Sequence, residues 1–261
     1  MLGAGGGLGR IRLQRSAFFS GPAYPCPTLL IVSMPDFATR MLHLLRSFPL
    51  PDSPLPGSVE VRRSAEDPAV AGIITAFAQK YYRGNGQRVG IFGINPGRFG
   101  GGRTGVAFTD PVALTDICGI AHSLPKQRRE LSSEFVYQFI AELGGPTPFY
   151  EHFFLSSIYP LELTHAGKNY NYYDSPAVIK ALWPDMRLSL TEQAEQLHLR
   201  RDVAVSLGRR NGEFLRRLND ELGLFDRIEI LDHPRFLMQY RRRFLAENVA
   251  RYVEVLGGLL P

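Results

Sequence analysis

Residues 88–110, RVGIFGINPGRFGGGRTGVAFTD, constrain the fold of this chain more than any other stretch. The apolar run 89–94 is typical of a strand buried on both faces of a parallel sheet. Asn95-Pro96-Gly97 ends that strand, because Pro96 fixes its own φ and Gly97 permits a turn that other residues resist. Open α/β sheets bind their ligands beyond the carboxyl ends of the strands. The stretch therefore predicts that Asn95 lies at a ligand site.

The glycine-rich part of this stretch allows two other interpretations. Residues 97–104 read GRFGGGRT, one residue away from the phosphate-binding pattern GxxxxGK[ST], with Arg103 where that pattern needs lysine. A phosphate loop also needs a helix directly behind it, and the next expected helix start is Asp110-Pro111. A nucleotide hydrolase that uses residues 97–104 is one alternative. An ordinary glycine-rich connection between a strand and a helix is the other.

Apolar runs later in the chain predict further strands of the same sheet. Residues 153–158, 203–208 and 227–231 are short apolar runs, and helical patterns separate them. Strands that alternate with helices indicate a parallel sheet covered on both faces. We therefore expect an α/β protein, a three-layer α/β/α fold with a central four-stranded parallel sheet. The expected helices are 35–45, 68–82, 113–121, 133–143, 190–199, 213–222 and 244–256, and 164–173 is expected to be a polar loop.

Composition limits the location and the partners of the chain. The 261 residues carry a net charge of +5, and the basic residues are mostly arginine, which suits a polyanionic partner. Two cysteines indicate a reducing compartment and exclude a four-cysteine iron–sulfur cluster. No apolar run approaches the roughly 20 residues of a membrane span, so we expect a cytoplasmic protein. Residues 1–33 are expected to be a disordered or non-native extension, and 34–261 a single domain.

Side chains from distant parts of the sequence follow the ends of the predicted strands. Asn95 follows the first strand, Ser157 lies near the end of the second, and His233 follows the fourth. Phe108 returns an aromatic ring toward the same edge. Because the carboxyl ends of parallel strands share one edge of the sheet, we expect these four side chains to meet. No histidine–carboxylate spacing in the chain suggests a metal site.

Three motifs carry a resemblance to a known family. GINPG at 93–97, FG at 99–100 and TGVAF at 104–108 are similar to the first motif of the single-strand-selective monofunctional uracil-DNA glycosylase group. PL at 160–161 with GKN at 167–169 resembles the middle DNA-contacting loop of that group, and HP at 233–234 resembles its second catalytic motif. The likeness spans about residues 81–257, and departures from the pattern suggest a divergent bacterial branch.

The resemblance implies a uracil-DNA glycosylase-like fold and a role for each matching residue. The activity implied is that of a monofunctional DNA glycosylase, which flips out uracil or a related deaminated or oxidised base and hydrolyses its N-glycosidic bond, initiating base excision repair. Neither metal nor cofactor is implied, and the expected partner is single- or double-stranded DNA, bound by a monomer at the nucleoid. Asn95 would orient a water, and His233 would serve the leaving group. The base would be bound by Ile94, Gly97, Phe108 and Ser157. DNA would be contacted by Gly167, Lys168 and Asn169.

Elementary chemistry agrees with the two catalytic roles. Cleavage of an N-glycosidic bond leaves an anionic base and an oxocarbenium-like sugar. A donor aimed at the base oxygen stabilises that anion, and His233 can supply one. An amide cannot accept a proton at neutral pH, so Asn95 can position water but cannot act as a general base. The pair therefore points to a largely dissociative reaction.

Ser157 departs from the family pattern, which has an asparagine at the matching position. The asparagine reads the base edge through paired hydrogen bonds, whereas a hydroxyl offers one donor and rotates to suit its partner. We therefore expect Ser157 to discriminate uracil from other damaged bases less sharply. The alternative is that Ser157 only fits a tightly packed strand.

The segment behind His233 is the second departure. In the family this segment penetrates the duplex, and the apolar residues Phe236, Leu237 and Met238 are candidate wedges. Leu237 is the first choice, because an ungapped match puts it at the intercalating position. The alternative is a core patch followed by a solvated helix start. The arginines of the segment, Arg235, Arg241, Arg242 and Arg243, are expected to contact DNA, the last three at phosphates.

Two rival functions remain open at the level of sequence. One is a nucleic-acid-binding protein on the same fold that has lost catalysis, which is favoured if Ser157 cannot hold a base. The other is the nucleotide hydrolase that uses residues 97–104. Magnesium dependence separates the hydrolase from the first two functions, and release of free base separates an enzyme from a binding protein.

Overall fold

The structure is a computed structural model that describes residues 35–124 and 129–261. The prediction for residues 1–33 lies outside the described part. Residues Pro35–Pro261 form one compact unit, and for this unit we propose the catalytic domain. No helix within the described residues is long and apolar enough to cross a membrane.

The described elements alternate along most of the chain. The strands are β1 (Glu60–Arg62), β2 (Val89–Gly93), β3 (Phe153–Ser157), β4 (Glu162–His165), β5 (Lys168–Asn169), β6 (Ala204–Leu207) and β7 (Ile228–Leu231). The helices are α1 (Phe37–Ser47), α2 (Pro68–Tyr81), α3 (Gly101–Thr104), α4 (Pro111–Asp116), α5 (Leu131–Glu142), α6 (Pro146–His152), α7 (Pro176–Gln196), α8 (Arg209–Leu222), α9 (Pro234–Tyr240) and α10 (Leu245–Gly257).

The central sheet has four parallel strands in the order β3-β2-β6-β7. Every residue of β2, β3 and β6 is buried, as the continuous apolar runs predict for a sheet covered on both faces. In the register of the sheet Gly93 lies beside Ser157, so the ends of β2 and β3 are neighbours. The predicted α/β fold with a four-stranded parallel sheet is confirmed.

Local capping explains where the helices that flank the first motif begin. The Asp67 carboxylate accepts from the Ala69 N–H, and Pro68 fixes the first turn of α2. Asp110 repeats the arrangement at α4, where its Oδ1 accepts from the Ala113 N–H at 2.8 Å. The other oxygen of Asp110 accepts from the Glu130 N–H at 2.8 Å, so the start of α5 is fixed to the start of α4.

Several elements differ from the expectations. α7 begins at Pro176 rather than at 190, because the expected pattern was broken by Pro184, which lies inside the helix. The segment 164–173, expected to be a loop, contributes strand residues to a second sheet of order β1-β4-β5. α4 ends at Asp116 rather than near 121, and α3 begins at Gly101, before the expected start at Asp110. α6 was not expected.

Candidate active site

A cavity of about 640 Å³ opens at the carboxyl edge of the parallel sheet. Asn95, Phe108, Ser157 and His233, which are far apart in the sequence, all line it. Volumes of this order are typical of small-molecule sites, and the lining combines apolar walls with a few polar groups. The structure thus brings together the four side chains for which the sequence predicts a shared site. Ile94, Gly97, Lys168, Asn169, Arg235 and Phe236 also line the cavity.

The amide of Asn95 is held in one orientation by the backbone of the segment after β5. Its Nδ2 donates to the Tyr170 carbonyl at 3.0 Å, and its Oδ1 accepts from the Tyr172 N–H at 3.2 Å. A carbonyl can only accept and an N–H can only donate, so the amide cannot flip without losing both bonds. One Oδ1 lone pair and one Nδ2 hydrogen remain to bind a water.

Phe108 reaches the cavity on a strained backbone. Its φ is 52°, a conformation that is uncommon for a bulky residue and is often found at functional sites. The Thr104 hydroxyl supports the turn, because it donates to the Thr109 carbonyl at 2.7 Å and accepts from the Val106 N–H at 3.1 Å. A Cβ on Gly93 would lie 2.6 Å from the Phe108 ring, so only glycine lets the ring pack on the end of β2.

His233 combines a structural role with a donor for the cavity. The ring caps α9, with Nδ1 accepting from the Arg235 N–H at 3.2 Å. The proton of the neutral ring therefore lies on Nε2. Burial, with a smaller contribution from the charge of Arg235, lowers the pKa of His233 to about 4. At neutral pH the side chain is an uncharged imidazole that can donate from Nε2.

Ser157 is the last residue of β3 and lies beside Gly93. Its side chain is almost fully buried at the cavity wall. The Ser157 carbonyl accepts from Nε2 of Gln193 at 3.1 Å, while the Gln193 Oε1 accepts from the Ser156 hydroxyl at 2.6 Å. This buried amide fixes the backbone at the end of the strand, where the Ser157 side chain lines the cavity.

The predicted DNA loop is a short hairpin of β4 and β5. Gly167 occupies its turn with a φ of 68°, and Lys168 and Asn169 line the cavity. The Asn169 Oδ1 accepts from the backbone N–H of Arg98 at 3.0 Å, so the hairpin is tied to the segment that follows Asn95. The two segments are closely packed at this junction, since a Cβ on Gly97 would lie 3.3 Å from the Asn169 Nδ2.

The wedge candidates require a correction. Leu237 and Met238 are each only 2% exposed and belong to the hydrophobic core, whereas Phe236 is 40% exposed and lines the cavity. The first choice, Leu237, is wrong in this structure, because the residues after His233 form helix α9, which turns Leu237 inward. A side chain packed in the core cannot insert between bases without disrupting that core. Phe236 is the remaining candidate.

The three arginines beyond α9 are exposed but lie outside the lining of this cavity. Arg241 lines a neighbouring cavity, and Arg242 forms an ion pair with Glu134 at 3.2 Å. Arg243 lies over the Phe244 ring, 4.6 Å from its centroid. Their contact with phosphates stays a prediction.

Glu130 is a site residue that the sequence did not reveal. Among the described residues it is the only acidic one that lines the cavity, and its carboxylate occupies the space where a Cβ of Gly100 would lie. Burial raises the pKa of Glu130 to about 7, against the opposing charge of Arg235. Nothing in the sequence signals this position, because it depends on how the start of α5 is held against Asp110 at the start of α4.

The comparisons with known proteins agree with this geometry. The family model of the uracil DNA glycosylase superfamily matches residues 80–257, and the chain belongs to this family. Among solved structures, the chain is similar to wild-type SMUG2 of Pedobacter heparinus, at 36% sequence identity and a TM-score of 0.82. The similarity covers 87% of this chain and 99% of that one. A search of curated proteins gave no match.

These findings confirm the resemblance that the three motifs carry. The chain is a DNA glycosylase of the uracil-DNA glycosylase superfamily, in the SMUG-type group, an enzyme of base excision repair that hydrolyses N-glycosyl bonds, and DNA is its substrate. Neither the inactive binding protein nor the nucleotide hydrolase on residues 97–104 is favoured by them.

Proposed function

We propose that Asn95, Phe108 and His233 carry out the excision reaction in the cavity that they share. The observation that carries the proposal is the fixed protonation and orientation of the two polar groups. His233 presents an uncharged Nε2–H, and Asn95 presents an amide whose orientation its backbone partners determine. The Nε2–H of His233 can stabilise an anionic base, and the amide of Asn95 can hold a neutral water.

The proposed reaction proceeds in a dissociative manner. The extruded base stacks on Phe108, and the Nε2–H of His233 donates to a base oxygen as the bond from C1′ to the base nitrogen breaks. The electron pair of that bond leaves with the base, whose negative charge the hydrogen bond stabilises. The oxygen of the water held by Asn95 then bonds to C1′, its surplus proton passes to solvent, and the anionic base takes up a proton from solvent. The products are a free base and an abasic site in an uncut strand.

We propose that the substrates are uracil and related deaminated or oxidised bases in single- or double-stranded DNA, bound by a monomer without metal or cofactor. A panel of oligonucleotides that carry uracil, xanthine, hypoxanthine or 5-hydroxymethyluracil tests this substrate range. Each is incubated in chelator, treated with alkali and resolved by size. Cleavage of one or more supports the proposal, and loss of all cleavage in chelator, restored by magnesium, contradicts it.

Ser157→Asn is expected to sharpen the preference for uracil over the purine lesions. An amide can pair with the base edge through a donor and an acceptor, and a base that leaves either group unpaired incurs a penalty of about 1–3 kcal/mol. The ratio of single-turnover rates for uracil and hypoxanthine measures the effect. Ser157→Ala serves as a control without pairing groups, and identical rate ratios in all three proteins would show that residue 157 does not face the base.

Phe236→Ala is expected to slow excision from a well-paired duplex more than from a single strand. A wedge offsets the few kcal/mol needed to unstack and unpair a base, and a single strand requires less of that energy. Leu237→Ala is the matched control, because removing a buried leucine should cost about 2–5 kcal/mol of stability and affect both substrates alike. Equal losses on both substrates for Phe236→Ala would reject the wedge.

Glu130→Gln is expected to remove a pH dependence of DNA binding near neutrality. Since the pKa of Glu130 is raised to about 7, the wild-type carboxyl is ionised at higher pH and repels phosphates, and it is neutral at lower pH. Between about pH 6 and pH 8, the affinity of wild type for single-stranded DNA should therefore fall as the pH rises. This fall should be about three- to tenfold larger in wild type than in the variant. Fluorescence anisotropy checks this, and parallel pH profiles would place Glu130 away from the DNA.

A further inference from the structure

The most exposed aromatic side chains in the described part of the chain are concentrated at one place. Among the described residues, Phe99, Phe236 and Tyr240 are the aromatic members of the set of exposed large hydrophobic side chains. All three line the active-site cavity, and none of the aliphatic members of that set does. Exposed apolar surface that collects at one site usually marks contact with a ligand or partner.

Two of these rings form a pair on helix α9. Phe236 and Tyr240 are four residues apart, which places them on the same face of the helix. Their ring centroids are 5.6 Å apart at an interplanar angle of 43°. Tyr240 is 67% exposed, the highest value among the large hydrophobic side chains, so its ring is free to accept a partner.

The position of the pair relative to the catalytic group is fixed by the fold. His233 is the N-cap of α9, so the helix that begins at the proposed leaving-group donor also carries both rings. Arg98, Lys168 and Arg235 line the same cavity and supply positive charge around the rings. Aromatic faces interleaved with cations are the arrangement by which proteins hold single-stranded nucleic acid, because bases stack while phosphates are neutralised.

We propose that Phe236 and Tyr240 form a stacking site for the base adjacent to the excised nucleotide on the same strand. This inference rests on the proposed function and deepens it. When the damaged nucleotide turns into the cavity, its neighbour loses a stacking partner. Phe236 occupies the vacated place, and the face of Tyr240 extends the stack to the neighbouring base. The site accepts any base, because every base has a π face.

Binding to product-like DNA tests the proposal. Single strands carry a tetrahydrofuran abasic analogue at the lesion position, and the flanking nucleotides are either natural or replaced, one side at a time, by a second analogue without a base. Wild type is expected to bind the strand that lacks the relevant neighbour about tenfold more weakly. Tyr240→Ala should weaken binding to the natural strand by a similar factor. The loss caused by removing the neighbouring base and the loss caused by Tyr240→Ala should not add when both changes are combined.

Two matched variants separate stacking from other roles of Tyr240. Tyr240→Phe keeps the ring and should retain wild-type affinity, whereas Tyr240→Leu keeps apolar bulk without the ring and should behave like Tyr240→Ala. A 2-aminopurine neighbour adds a direct readout, since its fluorescence falls on stacking and should fall only in proteins with a ring at 240. Losses that add fully, or an affinity of Tyr240→Leu equal to that of wild type, would overturn the stacking site.

The outcome is distinguishable from failure of the proposed function. If wild type releases base but its binding does not depend on either neighbour, the stacking site is rejected while the assignment of Asn95 and His233 stands. If wild type binds with the predicted dependence on its neighbour and His233→Ala excises normally, the stacking site stands and the catalytic assignment fails.

Discussion

Replacing His233 by alanine is expected to slow single-turnover excision of uracil by about 100- to 1000-fold, the usual loss when one donor to a developing anion is removed. The expectation follows from the Nε2–H that the capping bond at Nδ1 leaves available in the cavity. Because Nδ1 also caps α9, the alanine variant loses a helix cap worth about 1 kcal/mol as well. His233→Ser is the control, since a serine hydroxyl can cap the helix but cannot reach the base. Both variants should be slow, and only alanine should be less stable.

The pH dependence of the excision rate below neutrality is a second test of the role of His233. With a pKa lowered to about 4, His233 stays neutral throughout the mildly acidic range, and its contribution should be constant there. An imidazolium acid would instead raise the rate as the pH falls through about 6.5, the ordinary pKa of histidine. The profile is best measured in the Glu130→Gln background, where residue 130 does not titrate. A rate that climbs through that range would contradict a neutral donor.

Asn95→Ala is expected to have the other large effect, a loss of one or more orders of magnitude in the rate of the chemical step. The variant removes both the amide that positions water and the bonds that join the end of β2 to the Tyr170 carbonyl and the Tyr172 N–H. Thermal unfolding separates the two contributions. A wild-type rate in a folded variant would remove residue 95 from the site.

Asn95→Asp is more informative, because a carboxylate can accept the proton of water whereas an amide cannot. The same charge repels the departing anionic base. We expect activity to be retained with a changed pH optimum. A pH profile identical to that of wild type would mean that residue 95 does not contact the water.

The parallel sheet was predictable because its signal is local. The runs that form β2, β3, β6 and β7 are short, apolar and separated by helical patterns, and each observed strand lies inside its predicted range. α7 was predicted only in its last third, because Pro184 interrupts the helical pattern before that part. The hairpin of β4 and β5 was missed because β5 has only two residues, which are both exposed and polar and so give no pattern of a strand.

The site was predictable where a side chain follows directly from a strand end. Asn95, Ser157 and His233 line one cavity for that reason. Leu237 was misplaced because a match in sequence does not reveal which face of α9 turns inward. Glu130 and Tyr240 were missed for a related reason. Their positions depend on how α5 and α9 pack beside the sheet, and that packing has no local signature.

One measurement tests the central claim most directly. A single-stranded oligonucleotide with one uracil is incubated with excess protein in chelator, and both the free base and the strand are analysed with and without alkali. Wild type is expected to release uracil and to leave an intact strand that alkali cleaves at the uracil position, and His233→Ala and Asn95→Ala are expected to release much less uracil. Strand cleavage by wild type without alkali, or equal release by folded alanine variants, would contradict the claim.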